Sequence, residues 1–186
     1  MSQLTLYSQF NMRKPYLISS DIEDVAGHLA ADGIEFEQWQ LRHEKDCRFV
    51  TESDLLRVYQ SEIEKVKADR GYRCFDLVCI GARESQMVSL RDKFLSEHTH
   101  TEDEVRFFLS GKALYYIHAK ERIHIVQCGA GDFIRIPKGV KHWFDMGPRP
   151  EYCCLRWFDS DAGLDNQYTG TYVAESTPRW ESVIGE

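Results

Sequence analysis

GDFIRIPKGVKH, residues 131–142, is the stretch that decides how this chain is read, because Gly131, Pro137, Gly139 and His142 fall in the spacing G-x5-P-x-G-x2-H. Its FIRI and the HWF that follows are β-rich runs, punctuated by Pro137 and Gly139. Upstream, HTHTEDE at residues 98–104 supplies His98, His100 and Glu104 in the spacing H-x-H-x3-E, and Gly111 follows six residues after Glu104. Alternate side chains of a strand share a face, so His98 and His100 point the same way, about two residues of rise apart. That separation suits two cis ligands of one metal. Three imidazoles and a carboxylate combine borderline nitrogen with hard oxygen, a set that suits Fe, Ni, Mn, Co or Zn and argues against Ca or a thiolate-bound cluster. Four protein ligands on an octahedral ion leave two positions for substrate, as a catalytic metal requires.

Outward from these motifs the texture is β. DLVCI, MVSL, VRFFL, ALYYIH, IHIVQ, FIRI, HWF and YCCLRWF are short strand-like runs from about Phe75 onward, separated by Gly, Pro, Asp or charged pairs. Many short strands at close spacing predict a sandwich or barrel rather than alternating βαβ units. Before them, SDIE at Ser20–Glu23 reads as a capping box, with Gly33 past the end, and predicts a helix over residues 21–32. Ile34 and Phe36 predict an extended piece, and Leu55, Leu56, Tyr59, Ile63 and Val66 predict a second helix over 53–69. The expected organisation is one domain over 1–186: a helical region to about 74, a barrel over about 75–160 and a C-terminal wrap over about 161–186.

Bulk properties narrow the function. A net charge of -7 gives no reason to expect attraction to nucleic acid or an anionic membrane. No signal-peptide pattern and no run of roughly 20 apolar residues is present, so a cytoplasmic protein with no nucleic-acid or membrane partner is expected. The six cysteines are expected to be reduced, with Cys153 and Cys154 facing opposite sides of a strand. A monomer is expected. His28, His43, His118 and His124 lack partners at ligand spacing and read as solvated or core-edge residues.

The two motifs in this order resemble those of the metal-binding cupins. KFLSEHTHTEDEVRFF at residues 93–108, PKGVKHWFDMG at 137–147, Arg70-Gly71-Tyr72 and Tyr168-Thr169-Gly170 extend that likeness to acireductone dioxygenases over most of the chain. The resemblance implies a mainly β cupin barrel of the double-stranded β-helix, jelly-roll type, with two or more helices in the N-terminal third. It also implies one Fe(2+) or Ni(2+) per chain held by His98, His100, Glu104 and His142. The implied substrates are 1,2-dihydroxy-3-keto-5-methylthiopentene and O2, in methionine salvage. Fe(II) members of the family give formate and 4-methylthio-2-oxobutanoate; Ni(II) members give 3-methylthiopropanoate, formate and CO.

The flanking residues are compatible with such a guest. Strand parity turns Phe94, Ser96, Arg106, Phe108 and Phe144 toward the same interior as the four candidate ligands. Phe94 and Phe144 are candidates for lining a pocket for a methylthio tail, sulfur on an aromatic ring being worth roughly 0.3–1.5 kcal/mol; ordinary core packing is the alternative. A buried Arg106 needs an anion, either a neighbouring carboxylate such as Glu104 or an enediolate substrate. Arg156 shares the parity of Cys154 and Phe158 and is either a second cation at the site or an edge-strand residue. Competing functions are another dioxygenase, a sugar isomerase, or a non-catalytic cupin that binds a small ligand.

Overall fold

The computed structural model describes residues 1–185 apart from 43–46, 48–49, 82–86 and 161–164, and the backbone alone of 87–89. His43 and the start of the Gly163–Tyr172 stretch therefore lie outside the described residues. The described strands are β1 (Gln3–Ser8), β2 (Leu17–Ser19), β3 (Glu35–Gln38), β4 (Cys74–Ile80), β5 (His98–Thr99), β6 (Glu104–Ala119), β7 (Arg122–Gly129), β8 (Asp132–Ile136), β9 (Lys141–Asp145), β10 (Tyr152–Phe158) and β11 (Gln167–Tyr168). The helices are α1 (Ile22–Ala30), α2 (Glu52–Val58), α3 (Gln60–Arg70), α4 (Met87–Phe94), α5 (Val173–Ser176) and α6 (Trp180–Val183).

β6 joins two antiparallel sheets. One runs β4-β10-β6-β8-β3 and uses the first half of β6; the other runs β11-β5-β9-β6-β7-β1-β2 and uses the second half. The halves meet at Gly111, whose φ is +74 and where a Cβ would overlap the Glu151 carbonyl and the Tyr152 Cα. Only glycine allows both that conformation and that approach.

Both faces of β6 are covered on either side of Gly111, which is why FFL and ALYYI read as unbroken apolar runs. Phe108, Tyr115 and Ile117 of β6 point inward and pack with Leu4, Phe36, Val126, Ile134, Phe144 and Cys154 in the interior. Val105, Phe107 and Leu109 point outward beneath Leu55, Tyr59, Ile63 and Val66 of the α2–α3 segment. Past Gly111, Leu114 and Tyr116 point outward beneath Ala174 and Trp180 of the C-terminal wrap. Burying each such side chain stabilises the fold by about 1.5–3 kcal/mol.

Several elements differ from their predicted form. The cap of α1 is Asp21 rather than Ser20, its carboxylate accepting from the Glu23 and Asp24 amides. The single helix predicted over 53–69 is two, broken at Tyr59 (φ -100, ψ 13). The break lets the Tyr59 ring bury edge-on against Phe107 at 5.6 Å while its hydroxyl accepts from the Arg42 amide at 3.0 Å. MVSL is the start of α4, not a strand, because Arg91 forks onto the buried Asp145 of β9 at 2.7 and 2.9 Å and docks the segment as a helix. Three strands, β1 to β3, lie where helices dominated the reading; β1 pairs with β7 over six residues and β3 lies where Ile34 and Phe36 predicted an extended piece.

Cys153 faces outward and Cys154 inward, as expected. The expectation of reduced thiols fails at one pair: Cys79 and Cys153 oppose each other in register across β4 and β10 and are joined as a disulfide. Among the described residues no helix is long and apolar enough to cross a membrane.

Candidate metal centre

The sheet topology brings His98, His100, Glu104 and His142 to one point. His98 in β5 pairs directly with His142 in β9, Glu104 opens β6, and His100 follows β5, its carbonyl accepting from the Gly139 amide of the PKG turn at 3.0 Å. All four are buried, and their candidate ligand atoms lie within 4.8 Å of one another.

The ring orientations are fixed from behind. His98 donates Nδ1–H to the Ser96 carbonyl at 2.7 Å, His142 to that of Val140 at 2.9 Å, and His100 to that of Asp165 at 3.2 Å. A carbonyl only accepts, so each neutral ring carries its proton on Nδ1 and presents a bare Nε2. Nε2 of His100 and of His142 lie 3.1 and 3.0 Å from the same Glu104 oxygen, Oε2. Bare acceptors and a carboxylate oxygen converging in a buried space repel one another, and a divalent cation resolves that repulsion. The donor set therefore fits a metal.

The electrostatics agree. Burial pushes the Glu104 carboxyl pKa up, but Arg106 and the contacts from His100 and His142 outweigh it and leave it well below the usual range. Burial, with His142 beside it, lowers His98 to about 4. At His100 burial pulls down and Glu104 outweighs it, raising the pKa. The centre draws positive charge toward Glu104.

Arg106 is buried, with Nη2 on Glu104 Oε1 at 2.8 Å and the guanidinium 4.6 Å from the centroid of the Phe144 ring. The carboxylate partner considered for it is present, yet its Nε has no partner among the described residues. Tyr115 donates its hydroxyl to the same Glu104 oxygen at 2.5 Å, a contact that nothing in the local sequence signals. Arg156 is not on an edge strand, since β10 lies between β4 and β6. It sits opposite Arg106 in register and forks onto Asp76 of β4 at 2.9 and 2.5 Å. Asp76 went unnoticed because cross-strand register is invisible in a single sequence.

A cavity of about 30 Å³ adjoins two of the four, His100 and Glu104, and is walled besides by Phe94, Arg106, Arg156 and Asn166. Phe94 reaches it from the last residue of α4 and not by strand parity, and Ser96, predicted to face inward, is exposed. Phe144 does not wall this cavity but backs Arg106 and packs at a tilt of 58° against Tyr115, ring centroids 4.9 Å apart. A larger cavity of about 790 Å³, around Gly111 and Gly129, is lined by none of the four and bears on no chemistry described here. Of the histidines set aside, His124 is fully buried against Asp32 rather than solvated, and His118 contacts Glu97.

Residues 8–165 match the model of the ARD/ARD' family. An acireductone dioxygenase of Hahella chejuensis is 39% identical over 186 residues, covering 100% of both chains. One from Marinobacter nauticus is 36% identical over 100% of this chain and 99% of its own. Among solved structures, acireductone dioxygenase from Bacillus anthracis with a cadmium ion in its active center superposes with a TM-score of 0.78 at 26% identity, covering 90% of this chain and 98% of that one.

Proposed function

This chain belongs to the acireductone dioxygenase family, and from that premise we propose that it cleaves 1,2-dihydroxy-3-keto-5-methylthiopentene with O2 at a single Fe(2+) or Ni(2+) held by His98, His100, Glu104 and His142. The observation that carries the reading is the convergence of these four buried residues, with every imidazole proton committed to a backbone carbonyl. A divalent ion held there by His98, His100, Glu104 and His142 would supply Lewis acidity toward an acidic enediol.

The protein's own groups do the rest. Arg106 places a buried cation beside Glu104 and keeps one N–H, at Nε, for an enediolate oxygen. Phe144 and Tyr115 flank its guanidinium and hold it in place. Arg156, neutralised in part by Asp76, adds positive potential at the cavity wall. Phe94 gives that wall an apolar edge suited to a methylthio tail. A cavity of about 30 Å³ holds roughly one water, so substrate entry requires wall residues to move aside. Membership of the acireductone dioxygenase family favours the acireductone over a sugar as the substrate.

The products are expected to follow the metal. Apo-protein reloaded with Fe(2+) should give formate and 4-methylthio-2-oxobutanoate, and with Ni(2+) 3-methylthiopropanoate, formate and CO. Gas and acid analysis after adding acireductone and O2 tests this; no acceleration of substrate loss with either metal sinks the proposal.

A further inference from the structure

Glu97 precedes His98 and is 1% exposed, yet it does not belong to the cluster of four. Its Oε1 accepts from the hydroxyls of Thr169 at 2.7 Å and Thr171 at 2.8 Å, and His118 donates Nδ1–H to its Oε2 at 2.6 Å. The Glu97 carbonyl accepts from the Thr169 amide at 3.0 Å. With three side-chain donors on its two oxygens, this buried carboxylate is fully satisfied.

Two of its three side-chain donors come from the C-terminal segment, and that segment reaches the metal centre. Gln167 and Tyr168 pair with Thr99 and His98, making β11 the outer neighbour of β5. Two residues earlier, the Asp165 carbonyl accepts from His100 Nδ1, while Asn166 walls the cavity and donates to the Lys93 carbonyl at 3.3 Å. Without an anchor, an edge pairing of two residues has little to hold it in register. Glu97 is that anchor.

We propose that Glu97 is a positioning residue: its carboxylate clips Thr169 and Thr171, which seats residues 165–171 along β5, and the seated segment orients the His100 ring through Asp165 and closes the cavity with Asn166. The proposal rests on the reading of His98, His100, Glu104 and His142 as metal ligands. If the clip served only the stability of the tail, ligand orientation would not depend on it.

The test titrates apo-protein with Co(2+) alone and records affinity and the visible ligand-field bands for Glu97→Leu, the Thr169→Val/Thr171→Val double variant, Thr169→Ser and His98→Ala. Glu97→Leu and the double valine variant should lose roughly 10- to 100-fold in Co(2+) affinity, the usual effect of removing a group that orients a ligand, with shifted bands. Thr169→Ser keeps the hydroxyl and should match the unaltered protein in both. Should Glu97→Leu fail to fold, the double variant, at partly and fully exposed positions, carries the test. Unchanged affinity and bands in the double variant, while His98→Ala loses the metal, overturn the clip alone. Full Co(2+) binding by His98→Ala overturns the ligand reading beneath it.

Discussion

The two halves of β6 are one strand of 16 residues whose inward positions shift from even to odd numbers across Gly111, and they turn different chemistry into the same interior. Before Gly111 the inward positions are Glu104, Arg106 and Phe108; after it they are Ala113, Tyr115 and Ile117. The first half buries a full charge pair, whose desolvation costs several kcal/mol per ion and is offset only by close pairing and hydrogen bonds. Glu104 has Arg106, Tyr115, His100 and His142 around it. The second half buries mostly hydrocarbon and aromatic surface, which is favourable without partners. One half spends stability on a site and the other restores it, and the glycine between them keeps the two on separate sheets.

If that division is right, Glu104→Ala has the largest effect. It removes a ligand and strands Arg106, so bound metal and turnover should both be lost, read by metal analysis and by acireductone consumption. Stability should fall by about 3–5 kcal/mol as for a broken buried pair. Metal retained at full occupancy would place the centre elsewhere.

Arg106→Ala comes next and separates holding from reacting. The four ligands remain, so metal content should hold, while turnover should fall roughly 100-fold or more, the scale of removing a group that stabilises developing charge. Unchanged kinetics would leave Arg106 a structural partner of Glu104 and nothing else.

Leu114→Ala probes the other half. Leu114 is 0% exposed and packs outward beneath the C-terminal wrap, so truncation should cost about 2–5 kcal/mol and lower Tm by roughly 10 °C. Turnover per metal-loaded, folded molecule should not change. A large loss of turnover without a fall in Tm would erase the contrast between the halves.

How much of this was legible in the sequence follows the same line. Periodicity along one strand was readable: Arg106, Phe108 and Phe144 face inward. What depends on a second strand was not. Asp76 opposite Arg156, Cys79 opposite Cys153 and the six-residue pairing of β1 with β7 are facts of register between segments far apart in sequence. Phe94 and Ser96 were assigned by parity to a strand that does not exist there; α4 carries the chain to residue 94 and Ser96 is exposed. Glu97 alternates with His98 and so would be taken for a solvated acid, until the C-terminal segment covers it.

Tyr115 is where the two halves touch, and its substitution is the smallest and sharpest probe. Its ring belongs to the apolar half, packed at a tilt against Phe144, while its hydroxyl donates to Glu104 in the charged half. Burial, against the pull of Arg106, raises its pKa well above the ordinary value, so the hydroxyl keeps its proton and acts only as a donor. Tyr115→Phe keeps the ring and removes that one hydrogen bond. Glu104 retains Arg106, so stability should fall by only about 1.5–3 kcal/mol, the scale for one hydrogen bond to a charged group. Metal affinity should drop by roughly 10-fold, because one carboxylate oxygen is freed to rotate. A Tm shift with unchanged Ni(2+) affinity would assign the hydroxyl to folding alone; a loss of affinity beside that shift would assign it to aiming Glu104 as well, which the geometry favours.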